Sequence, residues 1–125
     1  MTPNISVVIP TYNRAQFLPM AIKSILNQTE KNIEIIVMDN ASTDNTKSVV
    51  AQFADKRIKY YRNKTNLGYP QNLKKGFSNA SSNLIFTLSD DDIIVSVDTL
   101  GHVIKKMHEH DAGFGELGLM YYDTD

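Results

Sequence analysis

The sequence predicts an α/β fold, a doubly wound and mostly parallel sheet flanked by helices. Three observations carry that reading. Two apolar runs, Ile5-Ser6-Val7-Val8-Ile9 and Ile33 to Met38, are continuous and rich in β-branched residues, the pattern of strands covered on both faces. After each of them, apolar residues recur at helical spacing. The elements alternate strand and helix four times with short connections, which right-handed crossovers turn into a parallel sheet.

The first strand runs into Pro10, which cannot donate to a ladder, and the stretch Pro-Thr-Tyr-Asn-Arg (10–14) reads as the loop leaving it. In the helix that follows, Phe17, Leu18, Ala21, Ile22, Ile25 and Leu26 form one apolar stripe. Pro19 falls in its first turn, where a missing amide proton costs little. The second strand ends in the polar loop Asp39-Asn40-Ala41-Ser42-Thr43-Asp44, in which either Ser42 or Thr43 is suited to cap the next helix. Val49, Val50 and Phe53 give that helix a short apolar face. Arg57 to Tyr61 alternates Ile58 and Tyr60 with Lys59, a weaker strand near the sheet edge.

Asn66-Leu67-Gly68 is a turn. Tyr69 to Asn79 is a helix with Pro70 near its start and Leu73, Phe77 and Ala80 on one face. Leu84 to Leu88 is a fourth strand ending in Ser89-Asp90-Asp91-Asp92, and Leu100, Val103, Ile104 and Met107 mark a last amphipathic helix. The tail from Asp111 reads as the approach to a fifth strand.

Composition narrows the function classes. The 125 residues make one domain, and 42% apolar with 22% charged residues fits a packed core. A formal charge of −1 removes the usual reason to propose a nucleic-acid or polybasic membrane binder. The absence of cysteine excludes a disulfide scaffold and thiolate chemistry. No apolar run approaches the roughly 18 residues of a membrane span, and the first 30 residues do not read as a signal peptide. The expected location is cytoplasmic, extending to a peripheral position at the inner face of the membrane.

In folds of this class ligands lie beyond the carboxyl ends of the strands, which directs attention to the loops after the first, second and fourth. Three adjacent aspartates repel one another, and a hard divalent cation such as Mg2+ or Mn2+ relieves that repulsion while sharing substrate phosphates. The plain alternative is a helix cap on a solvated turn. Thr11 and Asp39 open onto the same rim, where Asp39 is suited to accept from a base or ribose donor. Arg14, near the start of a helix, is suited to approach phosphate. Taken singly, Asp39 also reads as a loop cap and Arg14 as a solvated helix-start residue. Neither GxGxxG nor GxxxxGK[ST] occurs, so a glycine nest for phosphate is absent. His102, His108 and His110 lie on solvated helical positions without a metal-binding spacing.

Ser6-Val7-Val8-Ile9-Pro10-Thr11-Tyr12-Asn13-Arg14 with Phe17-Leu18 resembles the opening of the family 2 glycosyltransferases of the GT-A, Rossmann-like fold. Glu34 to Thr46 resembles their second-strand motif, Asn66-Leu67-Gly68 the turn before their third helix, and Ser89-Asp90-Asp91-Asp92 their DxD-type metal motif. The resemblance implies a donor site for a nucleotide-diphosphate sugar, most often UDP-linked, with Mg2+ or Mn2+ as cofactor. It implies that Thr11 and Tyr12 line the pocket, that Arg14 faces phosphate and that Asp39 hydrogen-bonds the base. Family members commonly carry Asp where Ser89 stands here. By that comparison Asp90 takes the place near the ribose, Asp91 is the leading metal ligand, and Asp92 either ligates or caps the following segment.

The implied reaction is sugar transfer to a saccharide or glycolipid acceptor. In the resembled family the carboxylate base lies in the second half of the domain, and no matching segment is found, so the catalytic base is unassigned. Residues 1–125 then read as the N-terminal, nucleotide-sugar-binding part of a longer domain, a truncation. The competing readings are a nucleotide-sugar-binding module without turnover and a small doubly wound binding protein. No nucleic-acid partner is expected, and a homo-oligomer is compatible with the sequence.

Overall fold

A computed structural model describes residues 2–111, 113 and 115. Four strands, β1 (Ile5–Thr11), β2 (Ile33–Asp39), β3 (Ile58–Arg62) and β4 (Ile85–Thr87), alternate with α1 (Leu18–Leu26), α2 (Thr46–Ala51), α3 (Tyr69–Ser78) and α4 (Thr99–Glu109). They form one sheet in the order β3-β2-β1-β4, and every neighbouring pair is parallel. The fifth strand expected in the tail lies outside the described residues.

The continuous apolar runs end up where their composition demands. All seven residues of β1 and of β2 are buried, and side-chain alternation divides them between two faces. Ile5, Val7, Ile9, Ile35 and Val37 join one apolar cluster with Leu18, Ile22 and Ile25 of α1, Val50 of α2 and Leu100 of α4. Val8 and Met38 face α3. The alternating β3 is half-buried on the sheet edge, as its pattern predicts.

Pro10 departs from the expectation. It lies inside β1, paired with Met38, and does not begin the loop. Ser6 N–H and Val8 C=O point toward β4, so the even positions of β1 face that neighbour. The last bond on that side is Leu88 N–H to Val8 O, 3.0 Å. By the same register the amide that proline lacks would have met Leu88 O, so the ladder toward β4 closes with the Leu88 N–H bond.

The face of α3 also differs from the expected Leu73–Phe77–Ala80 stripe. Phe77 is 40% exposed, and the helix buries Asn72 and Gly76 instead. A Cβ on Gly76 would lie 2.5 Å from Cγ1 of Val8, so glycine is what lets the helix approach the central strand. Nor does Ser42 or Thr43 cap α2. Asp44 accepts from Thr46 N–H at 3.1 Å and Thr46 Oγ1 at 2.5 Å, doing that work from two residues before the helix.

At the amino end of the sheet a buried carboxylate fastens the α3–β4 connection. Glu34 Oε1 accepts from Ser6 Oγ and Ser81 N–H, both at 2.5 Å, and Oε2 accepts from Lys59 Nζ and Ser81 Oγ, both at 2.7 Å. Ser82 N–H donates to Ser6 Oγ at 3.0 Å. Burial pushes the Glu34 carboxyl up, yet the bonds from Lys59, Ser6 and Ser81 prevail and hold it at about 2.

Two outcomes follow from this packing. Gly76→Ala should lower stability by about 1–3 kcal/mol despite alanine's better helix propensity, because Val8 is fully buried and has no room to yield; urea unfolding midpoints measure it. Glu34 is depressed in the folded state, so its contribution is complete above pH 5 and is lost as pH falls toward 2. Glu34→Gln should therefore lower stability at pH 7 by on the order of 2 kcal/mol. It should also flatten the pH dependence between 5 and 2, and an unchanged slope would contradict the assignment.

Candidate functional site

The chain leaves β1 on one side for β2 and β3 and later returns to the other side for β4, so the order reverses at β1. A parallel sheet opens a crevice at such a reversal, outside the strand carboxyl ends. Thr11 ends β1 and Asp90 follows β4. Their side chains meet there, Thr11 Oγ1 donating to Asp90 Oδ2 at 2.7 Å.

Around this contact lies a cleft of about 410 Å3 whose lining includes Thr11, Tyr12, Arg14, Ser89, Asp90 and Asp91. A larger concavity of about 500 Å3 lies between α2 and β3, away from the carboxyl ends. Its one carboxylate, Asp55, is already taken by Arg57 at 2.8 Å. The crevice at the strand ends is the one where unlike polar groups converge.

Arg14 brings the positive charge. Its Nη2 pairs with Asp91 Oδ2, and its Nε lies 3.3 Å from Asp90 Oδ1. The guanidinium rests over the Phe17 ring, 5.1 Å from the centroid, a cation–π contact. Phe17, expected in the buried stripe of α1, stands at the N-cap before the helix and is 42% exposed. Asp90 is buried, and burial raises its carboxyl above the ordinary value. The Thr11 hydroxyl and Arg14 oppose that rise, and neighbouring Asp91 adds to it. Repulsion in the aspartate run is thus partly relieved by the protein's own arginine.

The loop carrying Tyr12 and Arg14 is clasped to the loop after β2. Asn13 adopts a left-handed conformation, φ 53°. Its Oδ1 accepts from Thr43 N–H at 2.7 Å, and its N–H donates to Ser42 Oγ at 2.9 Å. Ala15 N–H donates to Asp44 Oδ2 at 3.0 Å. Asp44 is therefore a strut between the two loops. Burial raises its carboxyl, but the bonds from Thr46 and Ala15 bring it below the ordinary range.

Asp39 is placed differently from its neighbours on the rim. It lies beneath the cleft, 1% exposed. Its Oδ1 accepts from Ser42 N–H at 2.9 Å and its Oδ2 from Tyr60 Oη at 2.5 Å, with Arg62 Nε at 3.6 Å. Burial and the Asp39 charge together push the Tyr60 hydroxyl well above the usual phenol range. Asp92 is exposed, and its backbone N–H donates to Ser89 O at 3.2 Å. Among the described residues no group of three or more His, Cys, Asp or Glu converges as a complete metal cage. A pair of carboxylates fits Mg2+ or Mn2+ nonetheless, because such ions take one or two carboxylates and complete their shell with phosphate oxygens and water.

One part of the wall escaped the sequence reading. Asn72 Nδ2 donates to Met38 O, Asn63 Nδ2 donates to Asn72 Oδ1, and both bonds are 2.8 Å. Asn63 Nδ2 also reaches Asn40 Oδ1 at 3.0 Å, and Asn40 Nδ2 donates to Asn66 Oδ1 at 2.8 Å. Backbone groups fix three of the orientations: Met38 O that of Asn72, Leu67 N–H that of Asn40 and Gly68 N–H that of Asn66. The orientation of Asn63 follows from Asn40 and Asn72. Asn66 lines the cleft with its oxygen committed twice, so its amide nitrogen is the end left to donate. The available signal was the recurrence of asparagine just past β2, just past β3 and in the first turn of α3.

Comparison with known proteins agrees with this arrangement. The model of glycosyl transferase family 2 matches residues 6–117. The chain is 44% identical over 110 residues to the GalNAc(5)-diNAcBac-PP-undecaprenol beta-1,3-glucosyltransferase of Campylobacter jejuni, covering 86% of this chain and 35% of that protein. It is 35% identical over 114 residues to glycosyltransferase GlyG of Streptococcus pneumoniae, covering 90% and 38%. The chain thus spans about a third of the length of these relatives. Among solved structures, S. aureus TarS 1-349 in complex with UDP-GlcNAc superposes with a TM-score of 0.80 at 27% identity, covering 89% of this chain and 32% of that one. The mannosyltransferase PcManGT of Pyrobaculum calidifontis, in complex with GDP-Man and Mn2+, gives 0.78 at 25%, covering 86% and 33%. With a matching parallel sheet and a polar cleft at its reversal point, the chain belongs to glycosyl transferase family 2 and has the GT-A fold.

Proposed function

We propose that residues 1–125 form the donor-binding part of a metal-dependent glycosyltransferase, which transfers a sugar from a nucleotide diphosphate to a saccharide or glycolipid acceptor. The observation that carries this reading is the convergence of Thr11, Arg14, Asp90 and Asp91 in one cleft at the sheet reversal. UDP is the favoured nucleotide, in keeping with the UDP-GlcNAc complex of TarS. The relative acting on a PP-undecaprenol substrate supports a lipid-linked acceptor, met at the inner face of the membrane; no described helix is long and apolar enough to cross one.

In this reading the exposed Tyr12 ring offers a platform for the base. Asn66 Nδ2 donates to a base carbonyl. Asp39 retains lone-pair capacity beyond its two internal bonds, and a base N–H reaches it once the cover over this 1% exposed carboxylate opens. Thr11 and Asp90 hold the ribose side, and Arg14 serves the diphosphate. Asp91, with Asp92 beside it, supplies carboxylate oxygen to Mg2+ or Mn2+. When bound, such an ion neutralises charge developing on the departing nucleoside diphosphate.

Calorimetric titration of UDP with and without Mn2+ tests the site. Mn2+ should raise UDP affinity about tenfold or more, and Asp91→Asn should remove most of that gain, measured against the variant's own metal-free UDP affinity. A UDP affinity indifferent to Mn2+ would overturn the metal assignment. Tyr12→Ala should weaken UDP by about tenfold, the size of one lost base–aromatic stack. A sugar-transfer assay on a lipid-linked acceptor then tests turnover separately from binding.

A further inference from the structure

Arg14 makes contacts that a nucleotide-binding role alone does not explain. Its Nη2 faces Asp91 Oδ2 and its Nε approaches Asp90 Oδ1, so one guanidinium lies against both carboxylates. A divalent ion on Asp91 would lie on the same carboxylate, within a few ångströms of the guanidinium. The two positive charges repel at that separation, so the metal and Arg14 compete for Asp91.

The arginine is held at its backbone and open at its side chain. The backbone on either side is fixed by the Asn13 and Ala15 bonds to the neighbouring loop. The side chain itself is 43% exposed. Its Nε is buried without a hydrogen bond, even though Asp90 lies 3.3 Å away. The guanidinium thus hydrogen-bonds Asp91 through Nη2 but meets Asp90 by charge alone, with the Nε donor left over inside the cleft. Phe17 supplies an apolar floor on which it can turn.

We propose that Arg14 is an exchangeable counter-cation: it holds Asp90 and Asp91 while metal is absent and passes to the donor diphosphate when metal and nucleotide bind together. This rests on the metal-dependent donor site proposed above. Mn2+ without nucleotide meets an arginine that must give up its carboxylates for solvent. With UDP present, the same arginine gains phosphate oxygens, so metal and nucleotide favour each other's binding. Linkage makes the coupling reciprocal.

Mn2+ binding, read from the electron paramagnetic resonance signal of the free ion, tests this in wild type, Arg14→Met and Arg14→Lys, each with and without UDP. Arg14→Met should bind Mn2+ alone about fivefold or more tighter than wild type, and UDP should enhance its Mn2+ affinity by a correspondingly smaller factor. Arg14→Lys, which restores the charge, should return both quantities toward wild type and guards against a misfolded methionine variant. Unchanged or weaker binding of Mn2+ alone by Arg14→Met, with wild type still binding Mn2+ in the presence of UDP, overturns the exchange and leaves the donor site standing. Failure of wild type to bind Mn2+ even with UDP overturns both.

Discussion

The sheet reverses its order at β1, and the hydrogen bond between Thr11 and Asp90 spans that reversal. That bond extends the contact between β1 and β4 beyond their backbone ladder, whose paired residues on β1 are Ser6 to Val8. Each remaining feature of the cleft follows from holding these two ends together. A carboxylate brought under cover there needs positive charge nearby, and Arg14 provides it. An arginine kept in that place needs a stiff loop beneath it, which the Asn13 and Asp44 bonds supply. The opposite wall needs backbone turned inward without leaving amides unpaired, a requirement met by the asparagine ladder.

Most of the fold could be read in the sequence because its strongest signals are local. The runs at Ile5 and Ile33 leave few alternatives to buried parallel strands, and the alternation around Lys59 marks an edge. The misreadings arose where a distant partner decides. The buried face of α3 follows from Gly76 meeting Val8, an encounter that no helical periodicity within α3 encodes. Pro10 stays in a strand because the residues beside it still bond β2, as Thr11 O does with Asn40 N–H, and its missing amide only closes the ladder toward β4.

The cleft shows the same division. Carboxylates after β4 and a hydroxyl after β1 were legible, since the topology alone sends both to one rim. That Asp39 lies below the rim was not, because its depth depends on Tyr60 and Arg62 arriving from β3. The asparagine wall was hidden for a related reason. Isolated asparagines read as turn formers, and only the folded chain joins four of them into one hydrogen-bonded network, three of which line the cleft.

The fastening around Glu34 bears on motion as much as on folding. Three paired residues make β4 the shortest strand, and Ile85 at its outer side is 36% exposed. Segments with so few ladder bonds are the ones that open first in native-state fluctuations. The serine–glutamate cluster sits where β4 begins, while Asp90 and Asp91 sit where it ends. Each opening of β4 would therefore carry the cleft's carboxylates away from Thr11, and the lifetime of the assembled cleft is set in part at the far end of the sheet.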